Sequence, residues 1–305
     1  MTDALLTVAV EPVADPEAVA AVEASGGVVT HLARARVLVW LGTPGEFPAL
    51  PDTVEYVALK TAGIEGFTAA GVIDDRRLWT NASGFYAEGV AEHALGLLLA
   101  GLRQIAASVR AGRWAAELDP RVTTLRGSTV AIVGAGGIGR ALVPRLKACG
   151  ARVLAVNHSG REVPGADQVL THDRLDEVWA ATDHVVLAAP VTAQTRHLVN
   201  ARVLTALPRH CWIVNVGRGP LIDQAALVDA VEAGEIAGAA LDVTDPEPPA
   251  DDDPIFSSER IIVTPHIANP SSGLTREMAP FLTENLRRFT AGEELIARIH
   301  AGRDY

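Results

Sequence analysis

The run Gly134-Ala135-Gly136-Gly137-Ile138-Gly139 constrains this chain more than any other. It follows an apolar stretch, Thr129 to Val133, and opens a segment, Gly139 to Cys149, whose pattern predicts a helix. A strand, a G-x-G-x-x-G turn and a helix in that register form the phosphate-binding corner of a dinucleotide-binding βαβ unit. Gly134 permits the tight turn, Gly136 lets backbone approach a pyrophosphate, and Gly139 lets helix pack closely on strand. The helix start, with Gly137 and Ile138, then turns unpaired N–H groups toward the phosphates.

The rest of the chain extends that unit. After Arg152–Val156, strands are expected at His184–Ala188, Trp212–Val216, Gly238–Leu241 and Ile261–Thr264, with helical segments between them. Upstream, Leu5–Val10, Ala35–Leu41 and Val54–Leu59 read as strands and Pro16–Ser25 as a helix, a second βαβ series. A longer helix from Ala87 to Arg103 reads as a connector between domains. Asp245 to Pro254 is too rich in proline for helix or central strand and is expected as a loop, and Ser271 to Phe289 predicts a closing helix. The fold class is α/β, with two doubly wound parallel-sheet domains.

A chain of 305 residues exceeds the size at which one core stops growing, which agrees with two domains. The net charge of −11, with no basic cluster, argues against a nucleic-acid partner. Anionic substrate must therefore meet positive charge placed locally. Cys149 and Cys211 give neither a disulfide framework nor a metal-binding pair, so no metal is expected and a reducing cytoplasm fits. Met1 to Val10 lacks an export pattern, and Ala94 to Leu102 is too short to span a bilayer, so no membrane is expected.

Cofactor choice is read after the second strand, where a carboxylate would bind the adenosine ribose of NAD. Asn157-His158-Ser159-Gly160-Arg161 stands there instead. Asn157 and Ser159 can donate to a 2′-phosphate and Arg161 can pair with it, so NADP(H) is favoured over NAD(H).

Four segments together resemble the D-isomer-specific 2-hydroxyacid dehydrogenases, of the glyoxylate and hydroxypyruvate reductase kind, over most of the chain. They are residues 81 to 93 (NASGFYAEGVAEH), the glycine loop, residues 215 to 223 (NVGRGPLID), and ALDVTDPEP at 240 to 248 followed by TPHIA at 264 to 268. The resemblance implies a Rossmann domain, residues 94–273, inserted into a flavodoxin-like substrate domain, residues 1–93 and 274–305. It also implies a homodimer with much of its interface between Val90 and Trp114.

Carried over residue by residue, the resemblance makes Arg218, Glu247 and His266 catalytic. Arg218 and His266 both follow predicted strands, at the carboxyl ends where ligands bind in open α/β sheets. Arg218 would hold a 2-keto acid by its carboxylate and carbonyl oxygen, and His266 would act as proton donor in reduction. A carboxylate beside an imidazole fixes its tautomer and favours its protonated form, the role implied for Glu247. Glu247 also separates the chain from formate-oxidising relatives, which carry Gln there. Backbone N–H groups of Ala62, Gly63 and Ile64 would take the substrate carboxylate. Asp242 would hold the nicotinamide carboxamide, with Pro190, Thr195, Val216 and His266 lining the cofactor groove. Gly217, where the family more often has Ala, and Asn269, where it has a small residue, leave the substrate open. Two rivals stand beside a small 2-keto acid reductase: an NAD-dependent phosphoglycerate-type dehydrogenase, with Lys60 as its one added charge near the substrate loop, and a dinucleotide sensor without turnover.

Overall fold

The computed structural model describes residues 5–269 and 274–299. Contacts divide the chain into two compact units, residues 1–86 with 270–305 and residues 87–269.

The first unit begins with β1 (Thr7–Glu11), α1 (Pro16–Ala24), β2 (Val28–Val29), β3 (Val37–Trp40), β4 (Tyr56–Leu59), α2 (Glu65–Ala69) and β5 (Leu78–Thr80). The Asp15 carboxylate starts α1 by accepting from the amides of Glu17 and Ala18, and Pro16 occupies the first turn where no N–H is needed. The second unit contains α3 (Ala87–Leu102), α4 (Ile105–Ala111), β6 (Thr129–Val133), α5 (Gly137–Ala148), β7 (Arg152–Val156), β8 (Gln168–Leu170), α6 (Leu175–Ala181) and β9 (His184–Leu187). It continues with α7 (Ala201–Ala206), β10 (Trp212–Asn215), α8 (Gln224–Glu232), β11 (Gly238–Leu241) and β12 (Ile261–Val263). The chain then returns to the first unit with α9 (Leu274–Ala291) and β13 (Arg298–Ile299).

In the first unit the described strands run β2-β1-β3-β4-β5-β13. The first five are parallel and in flavodoxin order, and β13 pairs antiparallel on the edge. One face is covered by α1 and α9, whose Val22, Met278, Leu282 and Leu286 pack with Val8, Val37 and Tyr56. In the second unit the described strands are all parallel, in the order β8-β7-β6-β9-β10-β11-β12. That is the Rossmann order with a seventh strand added. Strands β9, β10 and β11 are buried along their whole length, as strands covered on both faces must be. The topological switch lies between β6 and β9, so their carboxyl ends open the crevice in which this fold takes ligands.

Several expectations shift. The helix placed from Gly139 starts at Gly137, because Gly136 already caps it. The helix expected from Ser271 is described from Leu274, and its first three positions lie outside the described residues. The short strands β2, β5, β8 and β13 carry too few residues for a visible alternation. Helix α3 packs against α5, β10 and β11 and belongs wholly to the second unit, rather than connecting the two. Its Val90, Leu97 and Leu98 are buried within one chain, so exposed apolar surface in that region falls on Ile105, Val109 and Trp114. Among the described residues no single helix is long and apolar enough to cross a membrane.

Candidate active site

The glycine loop turns between β6 and α5 with Gly134 at φ +95°, a conformation that costs L-residues a clash of Cβ with backbone. A Cβ on Gly134 would also lie 2.4 Å from the amide nitrogen of Ala189, so the turn passes directly beside the end of β9. At Gly136 an added Cβ would meet nothing within 4 Å, which leaves the open face a pyrophosphate requires. The first bond inside α5 runs from Arg140 N–H to Gly136 O, leaving the amides of Gly137, Ile138 and Gly139 ahead of it. A dinucleotide phosphate fits this cradle.

Beyond β7 the loop is exposed and braces itself. The side-chain Nδ2 of Asn157 donates to Arg161 O at 2.8 Å, and the Ser159 hydroxyl reaches Asn157 Oδ1 at 3.4 Å. Asn157 therefore shapes the loop that carries Arg161. His158 stacks on His172, from the end of β8, with ring centroids 4.9 Å apart. Thr195 acts similarly further on: its hydroxyl donates to Pro190 O at 2.8 Å and accepts from Thr192 N–H at 2.7 Å, closing the loop after β9.

Arg218 sits at the carboxyl end of β10, just past Val216, whose N–H continues the ladder to Leu187 O. Buried Asn215 sets the turn, accepting from Gly217 N–H at 3.1 Å and donating to Arg218 O at 2.8 Å. The Arg218 guanidinium reaches Gly217 O at 2.7 Å. A Cβ on Gly217 would lie 2.8 Å from Ala189 O, which explains glycine at this position. On Gly219 it would lie 1.8 Å from Thr244 O, so the Arg218 turn is wedged against the start of the loop carrying Glu247.

His266 and Glu247 meet through Nδ1 and Oε1 at 2.6 Å, both half exposed. A carboxylate can only accept, so Nδ1 carries the hydrogen and Nε2 is left to exchange a proton with a ligand. Glu247 Oε2 accepts from Thr244 N–H at 3.4 Å, and Asp245 N–H donates to Gln224 Oε1 at 3.1 Å, steadying the acidic loop.

The His266 backbone is left-handed, at φ +50°, a region that non-glycine residues avoid. What holds it there is Asp242, at the end of β11 and 2% exposed. Its carbonyl accepts from His266 N–H at 2.9 Å. Its carboxylate accepts from Thr264 Oγ1 at 2.6 Å and from the amides of Ile267 and Ala268, each at 3.0 Å. Burial alone would raise this carboxyl group's pKa, but hydrogen bonds from His93, Thr264 and the two amides outweigh it and hold Asp242 below the usual range. Asp242 thus anchors the His266 loop, a structural duty beyond the carboxamide contact expected of it. His93, Thr264 and Asn215 drew no role from sequence. All three stand at the ends of the family segments, but each acts on a neighbour, and a contact of that kind is not written in a motif.

Ala62, Gly63 and Ile64 lie in the first unit, between β4 and α2. Asn81 Nδ2 donates to Ala62 O at 2.6 Å and the Thr61 hydroxyl to Gly63 O at 2.8 Å. With those carbonyls engaged, the three amides have no partner among the described residues. Among the described residues no cluster of His, Cys, Asp and Glu could hold a metal ion.

Residues 94–268 match the model of the D-isomer specific 2-hydroxyacid dehydrogenase, NAD binding domain. An uncharacterized protein in the proB 3′ region of Corynebacterium melassecola is 40% identical over 85% of this chain and 86% of its own length. Glyoxylate reductase of Korarchaeum cryptofilum is 34% identical over 70% of this chain and 66% of its own. Among solved structures, a D-isomer specific 2-hydroxyacid dehydrogenase from Xanthobacter autotrophicus Py2, in complex with NADPH and MES, superposes with a TM-score of 0.86 at 27% identity. That match covers 99% of this chain and all of the other.

Proposed function

The chain belongs to the D-isomer specific 2-hydroxyacid dehydrogenases, and from that membership we propose that it reduces a small 2-keto acid, of the glyoxylate or hydroxypyruvate kind, with NADPH. The observation that carries this reading is the 2.6 Å pair of His266 Nδ1 and Glu247 Oε1, which leaves Nε2 as the proton donor. Bound reduced nicotinamide supplies the hydride that C2 accepts. The Arg218 guanidinium holds the substrate carboxylate and draws charge onto the carbonyl oxygen, and His266 Nε2 protonates that oxygen as it becomes the hydroxyl. The amides of Ala62, Gly63 and Ile64 are proposed to take the substrate carboxylate.

Three features support NADPH over NADH. The run Asn157 to Arg161 contains no carboxylate, Asn157 holds the backbone of Arg161, and the Xanthobacter relative was solved with NADPH. Dimerisation is proposed through the segment that exposes Ile105, Val109 and Trp114.

The test is a panel of 2-keto acids, including a phosphorylated one, with NADPH and NADH, following loss of nicotinamide absorbance. Turnover of glyoxylate or hydroxypyruvate, faster with NADPH, is the expected result. Turnover confined to the phosphorylated acid with NADH would replace it with a phosphoglycerate-type activity. Cofactor binding without turnover of any acid would favour a dinucleotide sensor.

A further inference from the structure

His93 lies on α3, far in sequence from every group assigned to the chemistry, yet its Nε2 stands 3.1 Å from Thr264 Oγ1 and 3.3 Å from Asp242 Oδ1. The direction of these bonds follows from the partners. Thr264 gives its only hydroxyl proton to Asp242 at 2.6 Å, and the Asp242 carboxylate has no proton to give. Nε2 of His93 must therefore be a donor, shared between the hydroxyl and the carboxylate.

We propose that His93 is a positioning residue for the reaction: its Nε2–H fixes Thr264 and Asp242, and Asp242 in turn holds the left-handed His266 against Glu247. The inference rests on the reading of His266 as proton donor. Asp242 is buried, and a buried carboxylate keeps its charge and position only while donors surround it. Of its donors, the amides of Ile267 and Ala268 belong to the loop being held, so they cannot also anchor it. Thr264 stands two residues before His266 at the head of the same loop. Among the described residues His93 is the one donor that reaches the Asp242 carboxylate from outside that loop, and α3 is itself packed against α5, β10 and β11. It ties the catalytic loop to the helix layer of its own unit.

The experiment compares steady-state kinetics of His93→Phe, His93→Gln, Thr264→Val, the double variant His93→Phe/Thr264→Val, and His266→Ala. Phenylalanine fills the space without a donor, whereas the glutamine amide can donate over a similar reach. His93→Phe is expected to lower kcat about tenfold, the scale of a slightly misplaced catalytic group, with KM for NADPH within about twofold. His93→Gln should recover most of that kcat. The double variant should lose no more than the worse single one, because both break the same relay. Thermal melting of each variant separates misfolding from misplacement. Should His93→Phe not fold, the kcat loss in Thr264→Val reads the same relay. Unchanged kcat in folded His93→Phe, a glutamine variant as impaired as the phenylalanine one, or additive losses in the double variant would overturn the proposal. Full turnover in His266→Ala would sink the underlying reading as well. A dead His266→Ala beside an active His93→Phe would sink the positioning role alone.

Discussion

The turns carrying Arg218, Glu247 and His266 and the loop Asn157 to Arg161 stand at carboxyl ends of one parallel sheet, and they are held in opposite ways. The first are locked by buried groups: Asn215 inside the Arg218 turn, Asp242 beneath His266, and Thr244 O against Gly219. The second is exposed and is braced mainly by its own Asn157 and Ser159, with His158 stacked on His172. Proton transfer tolerates little misplacement, so the groups proposed for it are over-determined. The loop proposed to choose between cofactors needs only the right charge in reach, and can change without disturbing the core.

Placing the same methyl group in both regions tests that contrast most directly. Gly219→Ala forces a Cβ to within 1.8 Å of Thr244 O and is expected to cost more than about 3 kcal/mol, with loss of activity. Gly160→Ala meets only Thr171 Cγ2 at 3.3 Å, although at φ +65°, and should cost about 1 to 2 kcal/mol. Urea midpoints of the two variants measure both, and similar costs would erase the distinction.

The locked side is only as rigid as the sheet that carries it, and pH sets a limit there. His184, at the start of β9, is 2% exposed, and burial pushes its imidazole from 6.5 down to about 4, with His210 adding to the effect and Asp183 opposing it. The unfolded chain takes up this proton near pH 6.5 and the native state near 4, so stability is full above 6.5 and drains as pH falls through that window. Between pH 7 and pH 5 the loss should be about 2 kcal/mol. His184→Gln keeps an acceptor for the Trp212 N–H that Nδ1 now receives at 3.2 Å, and should flatten the slope. An unchanged slope in that variant would remove His184 from the account.

On the exposed side the expected effects are smaller and selective. Arg161→Ala should weaken NADPH by about 1 to 2 kcal/mol, the range of a charge-assisted contact in an exposed loop, and leave NADH nearly untouched. Dissociation constants for both cofactors decide it. Equal losses with both would show that the loop does not read the 2′-phosphate.

The local parts of this molecule were legible in advance. Strands β6, β7 and β11 fall at the residues expected, and the order of strand, glycine loop and helix marks the Rossmann unit in the sequence itself. Periodicity and turn chemistry are properties of neighbouring residues, so they survive in a single line of sequence. The motifs around Arg218, Glu247 and His266 likewise carried the family, because each is short and contiguous. Tertiary structure decided what holds them. His93 and Thr264 are separated by 171 residues and Thr264 and Asp242 by 22, and nothing periodic connects them. A hydrogen bond depends on where folding brings two atoms, and the left-handed turn at His266 depends on amides meeting a carboxylate from another strand. Such contacts are set by the packing of β11, β12 and α3 together, which no local window of residues contains.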